Sequence, residues 1–539
     1  MNNEFRAVQS LARLIMAAVL VATPFLAYKS FSANQAASVE TKSASPSVSV
    51  PAKQKSATLA ESIEQAITAS SFADARWGVY ILSLKDGHVL YSRNGDKLFT
   101  PASNMKLYTT AVALDLLGGD YRWRTSVYAD TPPDGGGTLK GNIVLYGRGA
   151  PDLVSETEKE NTNSLSELAN LIVQRGVKRI TGNVIGDESY FRGEPIGDGW
   201  QWNDLQWYFG AEASALTINA NQVDVSVAPP EKSAALPSFR TSDSTGFVNL
   251  VPSMAAVKSG SPFKLGIQRG LSDNQVRIWG EFPSGSKGYG VQLSVHNPAL
   301  WAARMFLEAL KKRGITIDGQ AEARDWRVPA AERFDPGKSE ELAFVTGKNL
   351  LEITKLTNKH SNNLYAELLL RTLGRERAPM IAEASSGRER GDEEAGEAII
   401  RVWLAGNGVS TNGLAIHDGS GLSRLDLVTP EATARLLAAM WRSNSGQQFR
   451  ETLPVAATDG TLIGRLKGLE KQLSAKTGAL TYDNSLSGYL LEKSGETLAF
   501  SILCNDQTAS GSSIRVIDEI AQILASYPDA PPAPAPAGK

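Results

Sequence analysis

One cysteine, Cys504, stands in 539 residues, so no intrachain disulfide can form. It lies in "LAFSILCND", an apolar strand-like run where a thiol serves as a small buried group. Histidine is scarce too. His88, His296, His360 and His417 are scattered, and no zinc-type cluster can be assembled from their spacing. No metal or cofactor is therefore expected. An excess of one charge is also missing, with Lys+Arg 55 against Asp+Glu 57 and a formal net charge of -2. That balance offers nothing to nucleic acid, and no polybasic block addresses an anionic lipid surface.

The N-terminal apolar run, residues 14–27 ("LIMAAVLVATPFLA"), falls short of the roughly 20 residues of a comfortable membrane span. Arg6 and Arg13 precede it, and small residues follow in "SFSANQAAS", the pattern of an export signal. No cysteine follows closely, which argues against a lipoprotein. Residues 1–37 are read as a signal peptide or anchor, with membrane contact only if the signal stays uncleaved. The mature chain is expected in the periplasm.

What is present is a globular chain too long for one ordinary domain, with 42% hydrophobic and 21% charged residues. Residues 38–57 are Ser/Ala/Pro/Lys-rich and read as a linker; 529–539 form a Pro/Ala-rich tail. "TLAESIEQAITAS" reads as a helix, and "WGVYILSLKDGHVLYSR" as two strands about an Asp86-Gly87 turn. Near the other end, "SLSGYLLEKSGETLAFSILCND" is a second hairpin and "SIRVIDEIAQILASY" an amphipathic helix. Helix and hairpin at both ends imply one sheet completed by the two chain termini. Residues 121–325, rich in short strands, Gly and Pro, read as inserted material between a first part, 58–120, and a second, 326–528.

Chemistry enters with "TPASNMKLYTTAVALDLLGG". A serine hydroxyl is a weak nucleophile until a neighbouring base takes its proton. Ser103 and Lys106 sit at i and i+3 at the start of an apolar helical run, so hydroxyl and amine share a face. Lysine serves as a base only when burial or a second cation lowers its pKa. Helix capping is the competing role for the serine. Ser-x-x-Lys also recurs at Ser261 and Ser284, but there in Gly/Ser/Pro-rich loops. Two further elements matter. "KHSNNLYAELLLRTLG" carries Ser361 and Asn363 at a second helix start, where capping again competes. "QLSAKTGALTYDNSLSGYLL" carries Lys476, Thr477 and Gly478 on an expected edge strand, where glycine permits close approach of an extended peptide.

In this order and on these elements, the set Ser-x-x-Lys, Ser-x-Asn and Lys-Thr-Gly resembles the signature of the penicillin-recognising serine enzymes. The long interval from Ser103 to Ser361 resembles class C low-molecular-mass penicillin-binding proteins, the D-alanyl-D-alanine carboxypeptidase/endopeptidase family. So do "GWQWNDLQWYFGAEASALTINAN", "HNPALWAARMFLEALKKRGI", "HDGSGLSRLDLVTP" and "LPVAATDGTL". The resemblance implies an α+β fold, with helices around an antiparallel sheet and a large β-rich two-domain insertion. It implies Ser103 as the acylated nucleophile, Lys106 as its base, and Ser361 with Asn363 as proton relay and substrate-orienting pair. Lys476 and Thr477 would bind the terminal carboxylate of the substrate, beside Gly478. Backbone N–H groups of Ser103 and Ala479 would form the oxyanion hole. Asp204 and Arg424, with Phe209 nearby, would surround a diaminopimelate side chain.

Ala479 replaces a hydroxyl residue common at that position, and Thr481 stands where some relatives carry glutamine. The implied substrates are peptidoglycan stem peptides, with β-lactam antibiotics as inhibitors. A β-lactamase and a catalytically silent wall-binding scaffold are the alternative readings. A Ser-His triad through His360, and a phosphate loop at "GRG" (147–149), explain fewer residues.

Overall fold

The computed structural model describes residues 58–156, 163–228, 236–329, 333–381 and 390–527. The expected signal or anchor, the linker to residue 57 and the Pro/Ala tail lie outside them. Strands from the two ends of the chain build one antiparallel sheet. Its order is Leu473–Leu480, Asp483–Leu491, Thr497–Asn505, Arg76–Ser83, Val89–Arg93. Arg76–Ser83 pairs with Thr497–Asn505 from Arg76↔Asn505 to Ser83↔Leu498, so the first strand lies beside the last. Almost every residue of Arg76–Ser83 is buried, because helices cover both faces of the sheet.

On one face lie the helices Leu59–Thr68 and Ile514–Ser526, packed through Ile63, Ile67, Ile517 and Leu524 onto Val79, Ile81, Phe500 and Ile502. Thr58 and Glu61 close a capping box at the first of these helices, fixing its start. Cys504 is buried and free in this core. The opposite face carries the larger helical body. At its centre runs Met105–Leu117, in which every residue from Met105 to Leu114 is buried. This apolar helical run is enclosed all round, as expected of an element in the middle of a core.

The chain leaves this body at Gly119–Arg122 and re-enters beside its exit, where the Leu350 and Leu351 amides donate to the Tyr121 and Gly119 carbonyls. Between these points it forms a mixed five-stranded sheet, order Ala321–Arg324, Val184–Asp187, Ile143–Tyr146, Arg122–Ala129, Glu340–Asn349. Two three-stranded sheets follow from residues between 222 and 294. Composition suggests a return to the first body at 326. Glu340–Asn349, however, pairs with Arg122–Ala129, and the helical body resumes only with Leu350–His360. An alternating strand reads the same whichever sheet it joins, which is why composition does not mark this edge.

Candidate active site

The three motifs converge at the outer strand of the first sheet. Ser103 sits in a single 3-10 turn, Ala102–Asn104, leading into Met105–Leu117. Neither end of that turn carries a side-chain cap, so the Ser103 hydroxyl is not spent on capping. Lys106 Nζ lies 2.9 Å from Ser103 Oγ, 2.7 Å from Asn363 Oδ1 and 2.7 Å from the Ser420 carbonyl oxygen. Lys106 is fully buried, and burial lowers its pKa to about 7. The carboxylates of Asp418, Glu367 and Asp426 oppose that shift. Of the two agents expected to lower it, burial or a second cation, burial is the leading cause.

Ser361 and Asn363 flank a helix junction. Leu350–His360 ends at Ser361, which takes the left-handed conformation at φ 57°. A serine held there is strained, a condition that surrounding structure must enforce. Asn363–Arg377 begins two residues on, and its cap is Asn362, whose side chain accepts from the Tyr365 amide at 3.0 Å. The middle residue of Ser-Asn-Asn thus takes the structural role. Ser361 and Asn363 are left to face the lysines. Asn363 Nδ2 donates to the Phe209 carbonyl at 2.9 Å, which turns Oδ1 toward Lys106.

Lys476 comes from the edge strand Leu473–Leu480. Its Nζ donates to Ser361 Oγ at 2.9 Å and to the Thr477 carbonyl at 2.8 Å. Burial, and after it the charge of Lys106, holds its pKa well below the ordinary lysine range. Thr477 Oγ1 donates to Thr461 Oγ1 at 2.7 Å. Gly478 lies directly against the serine turn, whereas Ala479, its neighbour on the strand, is exposed. His360 is exposed beside Ser361.

Asp204, Phe209 and Arg424 border this centre. Phe209 is half-buried in the 3-10 turn Tyr208–Gly210, its ring edge-on to Tyr208. Arg424 Nη1 pairs with Asp483, and Nη2 donates to the Thr481 carbonyl at 2.9 Å. Among the described residues the Asp204 carboxylate has no hydrogen-bond partner. It feels the Arg424 charge, while burial raises its pKa. The two residues expected as a charged pair are therefore neighbours without a direct bridge.

Four participants in this geometry carry no role in the sequence reading: Thr461, Asp418, Ser420 and Trp200. Each lies in a stretch noted there for resemblance alone. Thr461 is placed by the segment before it, since the Lys359 ammonium meets the Asp459 carboxylate at 2.6 Å and Gly460 packs on the Lys359 backbone.

The comparisons agree with this architecture. The model of the D-Ala-D-Ala carboxypeptidase 3 (S13) family matches residues 59–527. The D-alanyl-D-alanine carboxypeptidase of Actinomadura sp. (strain R39) is 32% identical over 90% of this chain and 87% of its own length. The D-alanyl-D-alanine carboxypeptidase DacB of Haemophilus influenzae is 26% identical over 78% of this chain and 84% of its own. The crystal structure of penicillin binding protein 4 from Haemophilus influenzae superposes with a TM-score of 0.73 at 23% identity, covering 86% of this chain and 99% of that one. With a family model spanning nearly all of the described residues, the chain belongs to the D-Ala-D-Ala carboxypeptidase 3 (S13) family.

Proposed function

We propose that Ser103 is the acylated nucleophile of a D-Ala-D-Ala carboxypeptidase acting on peptidoglycan stem peptides. Family membership carries the carboxypeptidase activity; the residue roles rest on the geometry. One observation supports them most: the Lys106 amine, buried and lowered to about 7, stands 2.9 Å from Ser103 Oγ. Near neutrality a large fraction is unprotonated, so Lys106 can take the Ser103 proton as the oxygen attacks the penultimate D-alanine carbonyl. The Ser103 and Ala479 backbone N–H groups would receive the developing oxyanion.

The C–N bond then breaks, and the departing D-alanine amine needs a proton. Ser361 Oγ, held by Lys476 Nζ, is placed to pass one on. Thr477 and Lys476 receive the terminal carboxylate, an assignment that suits an edge strand beside two buried amines. Asn363 orients the scissile carbonyl region. Water finally releases the acyl group, with Lys106 again as base.

Beta-lactams are proposed as inhibitors acylating the same serine; a structure of the Haemophilus protein carries a β-lactam. Export to the periplasm rests on the N-terminal sequence pattern. No described helix is long and apolar enough to cross a membrane. The test is incubation of purified protein with cross-linked muropeptides, products being resolved by mass. Loss of one terminal D-alanine supports the reading, and separation of cross-linked dimers would add endopeptidase action. A protein that leaves every muropeptide intact overturns it.

A further inference from the structure

The neutral amine of a lysine has two N–H donors and one lone pair. Where the lone pair points is decided by what accepts the two hydrogens. At Lys106 these acceptors are Asn363 Oδ1 and the Ser420 carbonyl, each 2.7 Å from Nζ. Neither oxygen can donate, so the third direction, toward Ser103 Oγ, is left for the lone pair. The orientation of the base therefore depends on what fixes these two oxygens.

Each receives one contact from the inserted region, directly at Asn363 and by way of Asp418 at Ser420. The Asn363 amide is set by its Nδ2 bond to the Phe209 carbonyl. The Ser420 carbonyl belongs to a tight loop wound around the buried Asp418 carboxylate. Asp418 Oδ1 accepts from the Ser420 amide at 3.0 Å and the Gly421 amide at 2.6 Å. Its Oδ2 accepts from the Ser423 amide at 2.8 Å, from Ser420 Oγ at 3.1 Å and from Trp200 Nε1 at 2.9 Å. Trp200 is the one donor here outside the loop. Five donors thus surround the Asp418 carboxylate. Its neighbour Asp426 is raised well above the ordinary range, by burial first and then by the Asp418 charge. The loop has no room to shift toward the nucleophile, because a Cβ on Gly421 would overlap the Ala102 carbonyl.

We propose that Trp200 and Asp418 are positioning residues for the general base: they hold the Ser420 carbonyl on Lys106 Nζ and so aim its lone pair at Ser103. The inserted region is then part of the proton-transfer machinery and not only a substrate-binding annex. This rests on Ser103 and Lys106 acting as nucleophile and base.

The test compares wild type, Trp200→Phe and Asp418→Asn in acylation by benzylpenicillin, separating the acylation rate constant from the dissociation constant of the preceding complex. Phenylalanine keeps most of the ring and removes only the N–H donor. A misplacement of the order of 1 Å costs about 100-fold. We expect Trp200→Phe to lower the acylation rate constant about 10-fold with the dissociation constant unchanged, and Asp418→Asn to lower it further. Thermal melting shows whether each variant folds; should Asp418→Asn fail, Trp200→Phe decides alone. A folded Trp200→Phe protein acylating at the wild-type rate overturns the proposal, as does a change confined to the dissociation constant. If wild type acquires no adduct on Ser103, the nucleophile assignment fails and the proposal falls with it.

Discussion

Gly478 and Ser103 meet backbone to backbone: a Cβ built on Gly478 would stand 3.0 Å from the Ser103 nitrogen. The same atom would lie 2.9 Å from the Pro101 carbonyl oxygen and overlap the Ser485 hydroxyl. Ser485 Oγ donates to that Pro101 carbonyl at 2.8 Å, tying the second strand of the sheet to the serine turn. The glycine of Lys-Thr-Gly thus sets the distance between the edge strand and the Ser103 turn.

Gly478→Ala follows directly. Backbone and a hydrogen-bonded serine line the space, so the strand must move outward. Overpacking of this kind costs about 1–3 kcal/mol. The melting temperature should fall, and β-lactam acylation should slow by about 10-fold or more as the oxyanion donors separate. Unchanged acylation in a folded variant would show that the spacing is not critical.

Labelling with a penicillin should give one adduct, on Ser103. Peptide mapping by mass locates it. Ser261 and Ser284, which share the Ser-x-x-Lys spacing, begin no helix in this structure and should remain unmodified. Adduct on either, or none on Ser103, is the outcome that rejects the assignment.

The pH dependence of acylation has a definite sign. Burial lowers Lys106 to about 7, and only the unprotonated amine accepts the serine proton. Acylation should therefore rise with pH through about 7 and level off above it. Lys106→Ala should slow acylation by about 100-fold or more, and lose this limb. Rate profiles of both proteins check it; a limb that survives in the variant would point to another base.

Much of this site is legible in the sequence because each motif combines residue type with a local element. Ser103 and Lys106 need only a helical turn to meet, and Lys476 needs only a strand. The first sheet is legible for a similar reason, since each hairpin is two apolar runs about a glycine-containing turn. What the sequence does not display is held by tertiary contact. Asp418 acts through a loop, Ser420 through its carbonyl and Thr461 through one hydroxyl, none of which has a composition or period. Asn362 shows the converse. Two asparagines follow Ser361, and only helix geometry decides that the first caps while the second faces Lys106. The Arg424 partner was similarly hidden, because Asp483 lies on the hairpin after Lys476 and far from "GLSR" in sequence.

Asp204 yields the last prediction. Its carboxylate is half-buried and has no hydrogen-bond partner among the described residues, whereas Arg424 is already engaged by Asp483 and the Thr481 carbonyl. An anion so placed is poorly solvated, and a ligand ammonium would supply the missing partner. The free amino end of diaminopimelate offers such a group; a diacyl-lysine D-Ala-D-Ala tripeptide does not. A hydrogen bond to a charged group is worth roughly 1.5–3 kcal/mol. Asp204→Asn should therefore lose about 10- to 100-fold in kcat/KM on diaminopimelate-bearing peptides. The loss should be small on the diacyl tripeptide and in penicillin acylation. The melting temperature should hold or rise slightly, because no partner in the protein is left unpaired. Measuring kcat/KM for both peptides on both proteins separates the cases. Equal losses on the two peptides would mean that Asp204 supports the nucleophile or the fold, and its place in the substrate pocket would have to be given up.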